Sequence, residues 1–425
     1  DDVVFTFERA PKVPNSPSSF AAAVKGKTVK KIDDHTVHIS AGSVAPTLPN
    51  ELSSLMIVSK KHGEGAATQD YNSGKAAIGT GPFKLVKFTP GDRIEFARND
   101  AYWGQKSKWA KLTFRPIQAA PARVAALLAG DLDMIEDTPT ADIERLKKDP
   151  KIEISQTASN RLVYFFIDHA RDVTPFAKGK DGAEIKNPFK DKRVRQAMSK
   201  AINRDAIVSR VMEGVAIPAG QLLPDGYFGV SPKLKPVAYD PDGAKKLLAD
   251  AGLAGGFKLT LHTPNGRYTN DVKIAEAVAQ MLTRVGIETS LEALPPAVFF
   301  TRASQGGPNN SPEFSFILVG WATPTGENSG SLVPLANTFD RSKGTGTANR
   351  GRYSNPDVDR LSAEALKIND DAKRAALLAQ ATEIAIEDVA LLPSHYQVNT
   401  WALRKGLKYK ARSDEYTLAT HVSGQ

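Results

Sequence analysis

The 425-residue chain contains no cysteine, which excludes disulfide bonds, thiolate metal sites and cysteine nucleophiles. It also has no long hydrophobic run. The longest ones, at residues 316–319 and 389–392, have the length of buried strands, whereas a membrane-spanning helix needs about 18 to 20 apolar residues. No signal peptide opens the chain, which favours either a cytosolic start or a leader that has been removed.

Motifs that would mark an enzyme are equally scarce. The sequence has no Gly-x-Ser-x-Gly elbow, no P-loop and no Gly-x-Gly-x-x-Gly after a strand. Its seven histidines do not form His-x-x-x-His or Glu-x-x-His clusters. Asp131 and Asp133 share one side of a short strand, but their spacing is more typical of solvated or structural carboxylates. We therefore predict no catalytic residue, no metal site and no cofactor.

Charge gives little support for nucleic-acid binding. The net charge is +9, yet the 56 lysines and arginines are scattered among 47 acidic residues. The basic runs at 27–31 and 404–410 are short, and no nucleic-acid-binding motif accompanies them. We interpret the excess as a mildly basic solvated surface.

Patterns along the chain predict an α/β protein of two or three domains. Residues 1–104 are interpreted as mainly β, in a small mixed sheet. Residues 111–135 predict a strand, a helix and a second strand in a βαβ-like unit. Further on, Asp191, Asn203 and Asp240 stand where they can cap helices.

A clearer β-α-β unit follows, with strands at 257–261 and 287–291 and an amphipathic helix at 272–285. Between the first strand and the helix lies Pro-Asn-Gly-Arg-Tyr, a turn that places Arg267 beyond the end of a strand. Ligands of open α/β sheets bind there, and an arginine fork suits a carboxylate or phosphate. The alternative is an ordinary surface arginine.

Three further residues complete a candidate recognition set. Tyr268 offers an aromatic wall, unless it is a half-exposed loop aromatic. Trp321 stands at the end of a buried apolar strand, where its ring faces either a cleft or the core. Glu327, in the following loop, either binds a cationic group or is a solvated carboxylate.

Several segments together resemble the family 5 extracellular solute-binding proteins of ABC transporters, which include dipeptide, oligopeptide and nickel binders. They span nearly the whole chain in the family's order: Gly-Thr-Gly-Pro-Phe-Lys-Leu at 79–85, Asn-Asp-Ala-Tyr-Trp-Gly at 99–104, Pro-Phe-Lys-Asp-Lys-Arg-Val-Arg-Gln-Ala at 188–197, Ile-Asn-Arg at 202–204, Tyr-Asp-Pro at 239–241 and Tyr-Ser-Asn-Pro at 353–356.

The resemblance implies a two-lobed periplasmic binding protein of type II, in the large three-domain variety with a hinge. Residues 1–107 would be the remnant of a small extra domain, and 108–170 with 399–425 the hinge-side domain of the first lobe. Residues 171–398 would form the second lobe. Residues 1–7 resemble an internal part of the family, so we expect an N-terminal segment to be absent from this sequence.

The resemblance also implies a monomeric periplasmic or lipid-anchored protein that delivers a small solute to permease subunits, with the membrane reached only through the permease. Arg267 falls where dipeptide binders hold the peptide carboxylate. The aspartate that holds the peptide amine, three residues after the tryptophan, is replaced by Pro324. A carboxylate-bearing peptide or peptide-like solute is therefore the first hypothesis. A nickel or other metal chelate, a peptide-handling chaperone and an enzyme are the alternatives.

Overall fold

This computed structural model describes residues 1–14 and 20–424. The chain divides into two units. Unit 1 contains Asp1–Ser155, Thr400–Ala411 and Tyr416–Gln425, and unit 2 contains Gln156–Asn399 and Arg412–Glu415. The predicted domains, 1–107 and 108–170 with 399–425 in the first lobe and 171–398 in the second, stay a prediction. Among the helices that the structure describes, none is both long and apolar enough to cross a membrane.

Unit 1 begins with short helices and small antiparallel sheets. Its elements up to the boundary are α1 Asp2–Arg9, α2 Phe20–Val24, β1 Thr28–Lys31, β2 Val37–Ser40, α3 Leu48–Ser53, α4 Lys60–Gly63, α5 Thr68–Asn72, β3 Phe83–Thr89, β4 Arg93–Arg98, β5 Lys111–Phe114, α6 Ala120–Ala129, β6 Met134–Glu136 and α7 Thr140–Lys147, with a 3₁₀ turn at Ala10–Lys12. The prediction that residues 1–104 are mainly β was wrong, since helices α1 to α5 cover more of this segment than strands β1 to β4. In α1, Val3 and Phe7 are four residues apart and pack into the same small core, which is the spacing of a helix face.

The predicted βαβ-like unit of residues 111–135 was also wrong. The helix is present as α6, and Gly130 ends it in the left-handed conformation. However, β5 pairs antiparallel with β4, while β6 pairs antiparallel with residues 401–403 of a late strand. β5 and β6 thus belong to different sheets and do not pair with each other.

Unit 2 carries the larger sheet and most of the long helices. From the unit boundary onward the elements are β7 Ile152–Ile167, β8 Ala177–Lys178, α8 Lys192–Ala201, α9 Arg204–Ala206, β9 Ala216–Pro218, α10 Pro241–Asp250, β10 Phe257–Pro264, α11 Asp271–Arg284, β11 Ile287–Leu294, α12 Pro296–Gln305, β12 Phe316–Ala322, α13 Ser329–Ala336, α14 Pro356–Ala365, α15 Asp371–Glu387 and β13 Leu392–Arg404, followed in unit 1 by β14 Leu407–Tyr409 and β15 Val422–Gly424. A π-helical turn covers Ile207–Val211, and 3₁₀ turns cover Pro188–Lys190, Pro308–Asn310 and Ala419–His421. The predicted caps Asp191, Asn203 and Asp240 are confirmed, since each side chain accepts a hydrogen bond from a backbone amide of the helix it precedes.

The sheet of unit 2 runs in the order β11-β10-β12-β7-β13. β10 is parallel to both β11 and β12, which confirms the predicted β-α-β unit. β12 is antiparallel to β7. The sheet is therefore mixed, and the carboxyl ends of β10 and β12 lie at the same edge as the amino-terminal side of the paired part of β7.

Helices cover both faces of this sheet. Alternate residues of β7 enter two different cores: Val163 and Phe165 belong to one, and Tyr164 and Phe166 to the other. The first core is closed by α8, α10 and α11, and the second by α12 to α15. A strand buried on both faces is a nearly continuous apolar run, and residues 162–167, Leu-Val-Tyr-Phe-Phe-Ile, form such a run.

Candidate functional site

The candidate site lies in unit 2, at the edge of the sheet where β10 and β12 end. β10 ends at Pro264 and continues into the turn with Arg267, whereas β12 ends at Ala322 and continues into the loop with Glu327. Because β7 runs antiparallel to β12, its residue Arg161 lies directly opposite Ala322. Three separate segments therefore meet at one sheet edge.

The turn after β10 is held by Asp271, the first residue of α11. Its buried carboxylate accepts hydrogen bonds from the backbone amides of Gly266 at 3.1 Å, Arg267 at 2.8 Å and Tyr268 at 3.0 Å. Gly266 has φ +82°, a conformation that other residues rarely adopt. An ionised carboxylate at a helix N-terminus is also favoured by the helix dipole. The turn is thus locally braced.

Tyr268 points inward from this turn and is 6% exposed. Its hydroxyl donates to the Gly320 carbonyl at 3.1 Å, and its ring packs against the same residue. A Cβ atom at position 320 would lie 2.7 Å from the Tyr268 ring, so only glycine fits there without displacement of the ring. The interpretation of Tyr268 as a half-exposed loop aromatic was wrong. The tyrosine joins the turn after β10 to β12.

Two guanidinium groups lie near the Tyr268 ring. The Cζ atom of Arg267 is 5.1 Å from the ring centroid and that of Arg161 is 5.8 Å away. Both distances are within the range of cation–π attraction. Arg267 is exposed, and among the described residues its guanidinium contacts this ring and forms no hydrogen bond or ion pair. Its guanidinium donors therefore face solvent.

Arg161 differs because its charge is balanced. It donates from Nε to Glu415 Oε1 at 2.7 Å and forms a second, shorter bond from Nη2 to Glu415 Oε2. The Ser159 hydroxyl donates to the same carboxylate at 3.0 Å. Glu415 belongs to the short segment Arg412–Glu415, which the chain contributes to unit 2 after β13. This bidentate pair is the geometry in which arginine binds carboxylates best.

Trp321 lies next to Gly320 and faces Leu162 across the strand pair. Its indole N–H donates to the Gly330 carbonyl at 2.9 Å, and its partly buried ring packs against the second core. The ring is therefore fixed at the sheet edge, with one part in the core and one part accessible.

Glu327 is 3% exposed, so its interpretation as a solvated carboxylate was wrong. Both of its oxygens accept hydrogen bonds from Nη1 of Arg374, at 2.9 and 2.8 Å, and Oε1 also accepts one from the Ser329 hydroxyl. The Arg374 side chain is 7% exposed and lies over the Phe228 ring, with Cζ 4.1 Å from the centroid. The charge of Glu327 is thus matched by a guanidinium of α15.

The structure brings Arg267 and Tyr268 together. Trp321 follows the Gly320 that Tyr268 contacts, but its ring packs against the other core. The Glu327 carboxylate is directed into an internal ion pair. Sequence reasoning missed Asp271, Arg161 and its partner in the 412–415 segment. An acidic residue in the first turn of a helix is a usable signal for Asp271. No local signal links Arg161 to a glutamate 254 positions later, since only folding makes them neighbours.

Comparison with known proteins places the chain in a family. The family described as bacterial extracellular solute-binding proteins, family 5, matches residues 1–343. The chain belongs to the family 5 extracellular solute-binding proteins. The predicted resemblance, the two-lobed type II fold and the function as a solute-binding component of ABC import are thereby confirmed.

Relatives within the family differ in the ligands that their names give. The chain is 26% identical to heme-binding protein A of Haemophilus influenzae over 94% of its own length and 72% of that protein. It is 27% identical to the dipeptide-binding protein of Escherichia coli, over 94% and 74%. The structure of the Helicobacter pylori periplasmic binding protein DppA with the peptide STSA superposes with a TM-score of 0.79 at 24% identity, covering all of this chain and 81% of that one.

The residues that the structure describes contain no group of three or more histidine, aspartate or glutamate side chains placed to hold a metal ion. The charged groups of the site are instead guanidinium groups and carboxylates that bond to them or to backbone amides. This arrangement suits an organic anion better than a bare cation.

Proposed function

We propose that this family 5 protein captures a small solute bearing a carboxylate, with Arg267 as its anchor. The observation that carries the proposal is the exposed Arg267 guanidinium, held over Tyr268 by a turn that Asp271 braces. A preorganised turn lowers the conformational cost of forming a bidentate contact. The buried Tyr268 would position the guanidinium, and the accessible part of Trp321 would line the site at the same sheet edge.

We further propose that the protein acts outside the cytoplasmic membrane, in the periplasm or on a lipid anchor, as a monomer that delivers its solute to ABC permease subunits. It would bind and release the solute without turnover. Membership of the extracellular family supports this location, and the names of its relatives are those of binding proteins.

The Glu327 carboxylate would then stabilise the fold through its ion pair with Arg374 and would not bind the ligand. A ligand amine that used this carboxylate would have to compete with Arg374, which already donates to both oxygens from a site buried as deeply as the glutamate. Removing one partner from such a pair leaves the other charge buried and uncompensated. We therefore propose Arg267 and Trp321 for the ligand contact, with Tyr268 supporting the arginine from beneath.

The test uses two dipeptide libraries that cover all side chains, one with free C-terminal carboxylates and one with C-terminal amides. Peptides that remain bound to the full chain after gel filtration are identified by mass spectrometry, and the tightest is measured by calorimetry. Retention of the carboxylate library alone is expected. Arg267→Ala should weaken the retained peptide about 10- to 100-fold, since a charge-assisted contact contributes about 1.5–3 kcal/mol.

Two variants make the test specific. Arg267→Lys keeps the charge but loses the planar fork, so an intermediate affinity is expected. Arg284→Ala removes an exposed arginine from the far end of α11 and should leave affinity unchanged. Equal retention of amides and carboxylates, or a loss below about threefold in Arg267→Ala, would contradict the proposal.

A further inference from the structure

We infer that the solute is an anion whose opposite end carries no positive charge, such as an N-acylated amino acid or N-blocked short peptide, rather than a free zwitterionic peptide. The inference rests on the proposed carboxylate contact of Arg267 and narrows its ligand class. It follows from the charged side chains on the three segments that meet at this sheet edge, residues 159–161, 264–271 and 320–328, and on residues 412–415, which pair with Arg161.

Those segments contain four carboxylates, namely Asp271, Glu327, Asp414 and Glu415. The Asp271 carboxylate accepts hydrogen bonds from three backbone amides of the turn that contains Arg267. An amine bound to it would displace the hydrogen bonds that position the arginine. Asp271 therefore holds the turn and is not open to a ligand amine.

The other three carboxylates each have a guanidinium partner. Glu327 pairs with Arg374, and Asp414 accepts Nε of Arg412 at 2.8 Å with a second, shorter bond to Nη2. Glu415 pairs with Arg161, with the Ser159 hydroxyl as an additional donor. An ammonium group brought to any of them would meet a guanidinium already in place, and like charges at such separations repel.

The loop after β12 offers neutral groups in their place. Residues 322–326 are Ala-Thr-Pro-Thr-Gly, with Pro324 exposed. The Thr323 hydroxyl donates to the Glu327 carbonyl at 2.9 Å, and the Trp321 indole is committed to Gly330. An acyl group can lie against this proline and aromatic surface, whereas an ammonium ion would lose its hydration without a carboxylate to replace it.

Among these charged side chains, the Arg267 guanidinium is the one that is exposed and forms no hydrogen bond to another group in the part of the chain that the structure describes. Its Cζ and that of Arg161 are at most about 11 Å apart, since both lie within 5.8 Å of one ring centroid. The exposed guanidinium of Arg267 attracts a ligand carboxylate and repels an ammonium group brought near it.

The experiment compares two dipeptide libraries with free carboxylates, one with free amino termini and one N-acetylated, presented together at equal concentration to the full chain. Retained peptides are identified by mass spectrometry and then measured by calorimetry as acetylated and free pairs. We expect the acetylated member of each pair to bind at least tenfold more tightly. The variant Pro324→Asp places a carboxylate on the exposed loop, and it should strengthen the free member at least fivefold without strengthening the acetylated one.

The outcomes separate this inference from the proposed function. Enrichment of free peptides, or equal affinity within pairs, overturns the inference, while a continued loss of binding in Arg267→Ala leaves the carboxylate contact standing. If neither library is retained, both ideas fail. If acetylated peptides are retained but Arg267→Ala binds them equally well, both this inference and the proposed carboxylate contact of Arg267 are overturned.

Discussion

Replacing Glu327 with glutamine should cost stability and not ligand affinity. In the native protein its carboxylate and the Arg374 guanidinium are 4% and 7% exposed, with the closest contact at 2.8 Å. Glutamine keeps nearly the same shape but removes the negative charge. The buried guanidinium is then left with the Phe228 ring and with Asp371, which is 3.5 Å away and 78% exposed in its side chain.

Breaking a buried ion pair from one side costs about 3–5 kcal/mol. The lower part of that range applies here, because the ring and the exposed Asp371 still favour the charged form of Arg374. We therefore expect Glu327→Gln to lower the free energy of unfolding by about 3 kcal/mol. Methionine at both positions 327 and 374 should recover most of this loss, since no unpaired charge remains.

The assay is urea denaturation followed by circular dichroism, for the wild type, each single variant and the double variant. Glu364→Gln serves as the control, since its exposed contact with Arg360 is 3.9 Å long and should change stability by less than about 0.5 kcal/mol. Calorimetry with the retained peptide runs alongside. A cost below about 1 kcal/mol in Glu327→Gln, or a tenfold loss of peptide affinity without loss of stability, would refute the assignment.

Two further predictions concern the turn and the core. Asp271→Asn should weaken peptide binding about three- to tenfold and lower the free energy of unfolding by about 2 kcal/mol. The reason is that an amide cannot accept hydrogen bonds from three backbone N–H groups as a carboxylate does. The control Asp357→Asn, in the first turn of α14, should leave binding unchanged. Burial lowers the pKa of His395 to about 4 from an ordinary value near 6.5, so the unfolded chain binds the extra proton first and stability falls as pH drops from 6.5 towards 4. Between pH 7 and pH 5 the wild type should lose about 2 kcal/mol more than His395→Gln in urea titrations, and parallel losses would contradict this account.

The structure confirmed the sequence predictions that depend on local pattern. The caps Asp191, Asn203 and Asp240, and the strand, turn and helix around Arg267, all lie where spacing and turn chemistry placed them. The N-terminal segment is the counter-example. Its helix α1 is only eight residues long, and a short apolar run fits a strand or a helix equally well until a partner surface selects one.

Within the site, the sequence by itself determined that an arginine follows a strand end in a glycine turn, with an acidic residue opening the next helix. Only the tertiary structure decided which charges remain available. Arg161 and Glu415 meet across 254 positions, and Arg374 reaches Glu327 from a helix 47 positions later. Ion pairs of this kind follow from chain topology and burial, which no local pattern encodes. In the folded protein the Glu327 carboxylate is thus bound by Arg374, whereas the Arg267 guanidinium stays exposed.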